Sequence, residues 1–225
     1  MNDVTLKDGR VLSIQTLEEK DLHILLALQD EVIAALAEGA FLQPLSTEEF
    51  QHILKGNGMM IGAFYEGRCI AFRAMLIPDV DEVEHLAGDA HIPESEWEKV
   101  IYSEISNVHP DFRGNSLQKI LGKVLFELVD PSVYRYVLAT VAPFNMASLL
   151  DKFAQGMHIV ALKEKYGGLL RYVLLRDFTE VVPAGEATVV VDMADTKEQQ
   201  RLLQEGWKGI RVRFEDEKWF VVYAK

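Results

Sequence analysis

In the stretch NVHPDFRGNSLQKILGKVLFELV, residues 107–129, an apolar approach ends at Pro110, and small or polar residues from Arg113 to Ser116 precede leucines and isoleucine at helical spacing. So abrupt a passage from strand to helix leaves the first helical N–H groups without intrahelical partners, at the end where the helix dipole is positive. Glycine and small polar residues let a bulky anion reach that backbone, so the chemistry this spacing supports is phosphate binding. A helix start with one glycine is, by itself, more often plain punctuation. Just upstream, VIYSEISNV reads as a strand whose alternation puts Tyr102, Glu104, Ser106 and Val108 on one face. Glu104 is the only acid there. A carboxylate within an apolar strand is costly unless it is paired or employed, so Glu104 is read as a general base or as half of a buried ion pair.

Other reactive side chains carry less. His85, Asp89 and His91 could be written as a metal cluster, but without cysteines or an HExxH spacing a solvated loop is the better reading, and no metal is expected. Cys69, the lone cysteine, lies in the apolar run RCIAFRAMLI and reads as a core side chain. Neither a GxSxG elbow nor a Walker A sequence is present, which removes hydrolase and P-loop readings.

The formal net charge of −12 opposes a phosphate backbone as partner, because affinity for nucleic acid comes largely from lysine and arginine. No run approaches the roughly 18 apolar residues of a membrane span, and the start MNDVTLKDGR lacks a signal-peptide core. The expectation is a cytoplasmic protein with no membrane or nucleic-acid partner. Residues 79–98 hold eight acidic residues and no lysine or arginine. They read either as a solvated loop or as a negative mouth that gathers cationic amines.

These groups need elements to hold them. Residues 10–15 read as a strand, and Thr16 with Glu19 as a capping box before a helix that buries Leu22, Leu25, Leu26, Val32, Ile33 and Leu36, with Gly39 as its stop. STEEFQHILKG is a second helix capped by Ser46, and MMIGAFY and RCIAFRAMLI form a hairpin around Glu66 and Gly67. The helix after Ser116 should bury Leu117, Ile120, Leu121, Val124, Leu125 and Leu128. The strand VYRYVLATV follows it, so a parallel β-α-β unit is the economical arrangement. Asn145 to Gln155 is a further helix, and MHIVALK and LLRYVLL are strands joined by EKYGG. Beyond VVPAGE come one more strand, a helix capped at Asp195, and two short strands around EDEK. The organisation expected is a domain at 1–183 with a small β-α-β-β extension at 184–225. That extension should pack on the sheet or on a second subunit, the latter making a homodimer. No internal repeat is expected.

Residues 100–176 resemble the GNAT superfamily of acetyl-CoA-dependent N-acyltransferases. The family signature is Arg or Gln, two variable residues, Gly, one variable residue, then Gly or Ala; here it reads Arg113, Gly114, Asn115, Ser116, Leu117, Gln118, with VHP before it. NMASLLDKFAQGM resembles the family's later helix, KEKYGGLLRYVLLRDF its terminal hairpin, and the order of N-terminal elements extends the likeness to about 1–178. Ser116 and Gln118 stand where glycines are usual, a departure that is mild if only backbone N–H groups are needed. The resemblance implies an α+β fold with a twisted, mostly antiparallel mixed sheet and a parallel β-α-β core. It implies acetyl-CoA as cosubstrate, its pyrophosphate on the amides of 113–118 and its thioester carbonyl on the N–H of Val108. Asn145 would touch the pantetheine arm, with Ser148 in the same cofactor-binding set. Glu104 is then the base for a small-molecule or peptide amine, a cationic one if the acidic segment acts on it. Many members carry a tyrosine acid four residues before the glycine that closes the later helix. That position is Lys152 here, and Tyr166, Ser148 or water remain open as the acid.

Overall fold

A computed structural model describes residues 2–36, 43–180 and 187–225. Two units divide the chain, Met1–Ile77 with Ile101–Val129 and Pro78–Val100 with Asp130–Lys225. In chain order the elements are β1 (Asn2–Thr5), β2 (Val11–Thr16), α1 (Leu22–Ala34), α2 (Thr47–Leu54), β3 (Gly58–Tyr65), β4 (Arg68–Leu76), α3 (Leu86–Asp89), β5 (Val100–Val108), α4 (Leu117–Leu128), β6 (Tyr136–Val141), α5 (Met146–Ala154), β7 (His158–Lys165), β8 (Leu169–Asp177), β9 (Thr188–Asp192), α6 (Thr196–Gln204), β10 (Lys208–Glu215) and β11 (Lys218–Ala224). The class is α+β. Gly39 and the boundary at 183/184 lie outside the described residues.

In the first unit, β1 to β5 pair antiparallel in chain order. Thr16 is committed to pairing with Ile61, so the capping box before α1 forms two residues later than expected, from Glu18 and Asp21. Ser46 caps α2 as expected, and the cap is a full box: its hydroxyl accepts from the N–H of Glu49, whose carboxylate accepts from the N–H of Ser46. Leu25, Leu28 and Val32 of α1 and Phe50 and Ile53 of α2 pack on Met60, Phe72, Ala74 and Ile105 of the sheet. Ile33, expected in that face, is exposed. Cys69 is a core side chain, its S–H donating to the carbonyl of Ala71, and burial pushes its thiol up to about 12. Helix α4 packs on β3 and β4. Its buried stripe is Leu117, Leu121, Gly122, Leu125 and Phe126, so it is turned away from the expected Ile120, Val124 and Leu128. Gly122 and Phe126 are buried in that stripe, and Leu128 is left exposed.

In the second unit the strand order is β6-β8-β7-β10-β11-β9, again with antiparallel pairs. The acidic segment is more ordered than a solvated loop. Asp89 accepts from both Lys163 and Lys165 at 2.8 Å, and the carboxylate of Glu84 accepts from the backbone N–H of Tyr166 at 3.3 Å. The two ammonium groups hold the Asp89 carboxyl below its usual range against the opposing effect of burial. His85 stacks flat on Trp97 with ring centroids 4.5 Å apart.

The expectation of no repeat fails in this unit. Asn145 and Asp195, fifty positions apart, each cap a nine-residue helix by accepting the N–H three residues on. Gly156 and Gly206 follow with φ of 76° and 85°, and Met157 and Trp207 then donate their N–H groups to Lys152 and Leu202. The β7–β8 register slips between Ile159 and Ala161, and the β10–β11 register slips between Gly209 and Arg211, again fifty positions on. Val141 lies opposite Tyr172, as Val191 lies opposite Val221. The segment β9-α6-β10-β11 is therefore a second copy of β6-α5-β7-β8. Across the two helices and the strands that follow them, the glycine is the only residue retained at this spacing, so composition and motif could not reveal the copy.

Candidate active site

The site grows from β5. Arg73 of β4 lies opposite Ser106 and Met75 opposite Ser103, so one residue, Ala74, faces two, Glu104 and Ile105. Such a bulge breaks the strict alternation of a strand. Ser103, Ser106 and Val108 consequently share the face of Ala71, Arg73 and Met75, while Tyr102 and Asn107 share that of Leu76 and Phe72. The expected face of Tyr102, Glu104, Ser106 and Val108 is thereby corrected. Glu104 stands at the bulge and is exposed, so the desolvation argument for a buried carboxylate does not apply to it.

Past the bulge, the N–H of His109 donates to the carbonyl of Ile70 on β4 at 2.8 Å. Successive N–H groups of a strand point to opposite edges, so that of Val108 points away from β4. His109 then starts a single 3-10 turn, Pro110–Phe112, accepting at Nδ1 from the N–H of Asp111. Arg113 is extended, Gly114 has φ 81° with open space where a Cβ would stand, and Asn115 donates to the carbonyl of Phe112. Ser116 is left-handed, with φ 60°, and its side chain does not cap α4. The substitution of serine for glycine is thus more than a mild change: a left-handed backbone costs a residue with a Cβ about 1–2 kcal/mol. Leu117 is buried beneath the loop and Gln118 is half-buried in the first turn.

Two features here escape a sequence reading. Arg73, in mid-strand, is fully buried; Nη1 donates to the carbonyl of Gln118 at 2.9 Å and Nη2 to the hydroxyl of Ser103 at 3.2 Å. A guanidinium therefore lies under the first turn of α4 and adds positive charge to the helix dipole there. Asn107 is 2% exposed, and neither its carboxamide oxygen nor its nitrogen has a hydrogen-bond partner; the hydroxyl of Ser106 has none either. Leaving such groups unbonded costs roughly 1–3 kcal/mol each. Sequence could flag only that two polar residues sit in an apolar strand.

In the second unit, Asn145 caps α5 by accepting from the N–H of Ser148 at 3.2 Å. Lys152, at the position of the tyrosine in resembling proteins, is buried, its Nζ 3.9 Å from Asp151. The Tyr166 hydroxyl lies 3.3 Å from that of Thr140. Among the described residues, no group of three or more His, Cys, Asp or Glu side chains gathers as metal ligands would, and no helix is long and apolar enough to cross a membrane.

Solved structures similar to this chain include GNAT-family acetyltransferases. A GNAT-family acetyltransferase from Listeria monocytogenes is matched at a TM-score of 0.56 and 15% identity, over 79% of this chain and 100% of the other. The GNAT domain of S. lividans PAT is matched at 0.55 and 17%, over 79% and 96%. A putative acetyltransferase of Salmonella typhimurium, solved with its cofactor acetyl-CoA, is matched at 0.55 and 12%, over 78% and 99%. No model of a protein family matches the chain, and no curated protein does. The chain therefore has the GNAT fold. The solved neighbours are covered almost whole while about a fifth of this chain falls outside the match, so this chain carries more than the shared fold.

Proposed function

We propose that the protein is an N-acetyltransferase that moves an acetyl group from acetyl-CoA directly to a primary amine. The observation that carries this reading is the β5–α4 junction: uncapped, opened by Gly114, underlain by the buried guanidinium of Arg73, on a fold whose neighbours include a putative acetyltransferase solved with acetyl-CoA. In this reading the amides of Arg113, Gly114, Asn115, Ser116, Leu117 and Gln118 hold the pyrophosphate. The N–H of Val108, turned away from β4, donates to the thioester carbonyl and stabilises the oxyanion that forms on attack. Glu104 takes the proton from the attacking amine, the C–N bond forms, the C–S bond breaks, and the leaving thiolate takes a proton from water to give CoA, after which Glu104 returns its own to solvent.

Glu104→Gln tests this. General-base loss typically costs about 10²–10⁴ in rate, so kcat should fall by that order and the acid limb of its pH profile should disappear, with the affinity for CoA unchanged. A wild-type rate and profile in this variant contradicts the assignment. The buried Lys152, in place of tyrosine, favours a second reading in which the domain binds acyl-CoA without turnover.

A further inference from the structure

The two β-α-β-β copies meet edge to edge. β7 pairs antiparallel with β10, and the residues brought opposite one another are Ile159 and Gly209, which are themselves equivalent, fifty positions apart. Equivalent residues facing each other across antiparallel strands are what a local two-fold axis between two copies produces. The helices agree: α6 packs on β7 of the first copy, and α5 reaches β10 of the second. The seam is sealed by polar contacts as well as by packing. The hydroxyls of Tyr172 on β8 and Tyr223 on β11 both donate to the Oε1 of Gln199 on α6, at 2.6 and 3.0 Å, and its Nε2 donates to the carbonyl of Met193 at 2.8 Å. All three side chains are fully buried, and burial raises both tyrosine hydroxyls well above their ordinary range.

A self-complementary contact of this kind is how two identical chains make a dimer. We infer that the C-terminal copy occupies, within one chain, the β7 edge at which a second copy of this protein would otherwise pair, so that the protein is a monomer containing its own pseudo-dimer interface. Without that copy β7 would lose its one bridge to β10, at Ile159, and the hydrogen bond that Gln200 of α6 donates to the carbonyl of Leu162, which leaves an edge prone to pairing with another chain. The inference stands apart from the acetyltransferase reading, because none of the residues at the seam belongs to the proposed site.

The full-length chain carrying Ile159→Cys and Gly209→Cys tests it. A Cβ at position 209 would stand 2.9 Å from that of Ile159, about 1 Å inside the mean spacing of a disulfide, and two edge strands can separate by that much. Cys69 is buried, with its thiol pushed up to about 12, and does not compete. With oxidised glutathione as oxidant, the bond should close within one chain: two hydrogens lost from the intact mass, and a monomer on a non-reducing gel. The unmodified protein, which needs no substitution, should also sediment as a monomer. A wild-type dimer, a bond formed between chains, or a folded double variant that keeps both thiols free overturns the inference.

Discussion

Asn107 separates a structural account of β5 from a functional one. A core residue chosen for stability would not leave both ends of a carboxamide unbonded beside Phe72, whose ring packs edge-on against Phe50. Asn107→Leu keeps the branching of the side chain and removes the unbonded groups, so it should stabilise the fold by about 1–3 kcal/mol. For a chain of this size that is a rise in Tm of several degrees. If the carboxamide meets substrate, kcat/KM should fall in the same variant. Scanning calorimetry and steady-state rates read the two effects separately, and a more stable protein with undiminished kcat/KM would make Asn107 purely structural. The same scale shows what was legible beforehand. Arg113, Gly114 and Ser116 marked the turn into α4, because small residues before a helical pattern are a local signal. Arg73 and Asn107 were silent, because a residue's importance inside a strand depends on what pairs with it.

Among the elements, those with local signals were readable: the cap at Ser46, the turn at Glu66 and Gly67, and the caps at Asn145 and Asp195. The β5 bulge was not, since it exists only in the register between β4 and β5, and it overturned the expected face of Glu104. The stripe of α4, which takes in Gly122 and Phe126, shifted for a similar reason: the side of a helix that meets β3 and β4 depends on strands the helix sequence does not describe. The β5–α4 junction also supports a prediction of its own. Gly114→Val places a branched side chain at φ 81°, a conformation costing about 1–2 kcal/mol for such a residue, on the loop that would carry the pyrophosphate. Because nothing in the protein crowds that position, the fold should survive while the affinity for CoA drops about tenfold or more. Titration calorimetry alongside a melting curve checks this, and an unchanged dissociation constant would remove residues 113–118 from the cofactor site.

For the whole molecule, composition and charge narrowed the classes but concealed the architecture of the last forty residues. The second β-α-β-β copy keeps caps, turn, bulge and register while retaining almost none of the side chains, because those features rest on backbone geometry that many sequences satisfy. The eight-carboxylate segment, legible as a block of charge, proved partly neutralised by Lys163 and Lys165. Asp79, Asp81, Glu82, Glu94 and Glu98 stay exposed. The central claim is acyl transfer, and amine-dependent release of CoA thiol from acetyl-CoA tests it most directly. The wild-type chain would be assayed against a panel spanning polyamines, amino acids, aminoglycosides and lysine peptides, with hydrolysis in the absence of amine subtracted. The account predicts release above that background with at least one amine, matched by acetylated product in the mass spectrum and lost in Glu104→Gln. Tight CoA binding with no amine-dependent release across the panel would contradict it and leave a binding module.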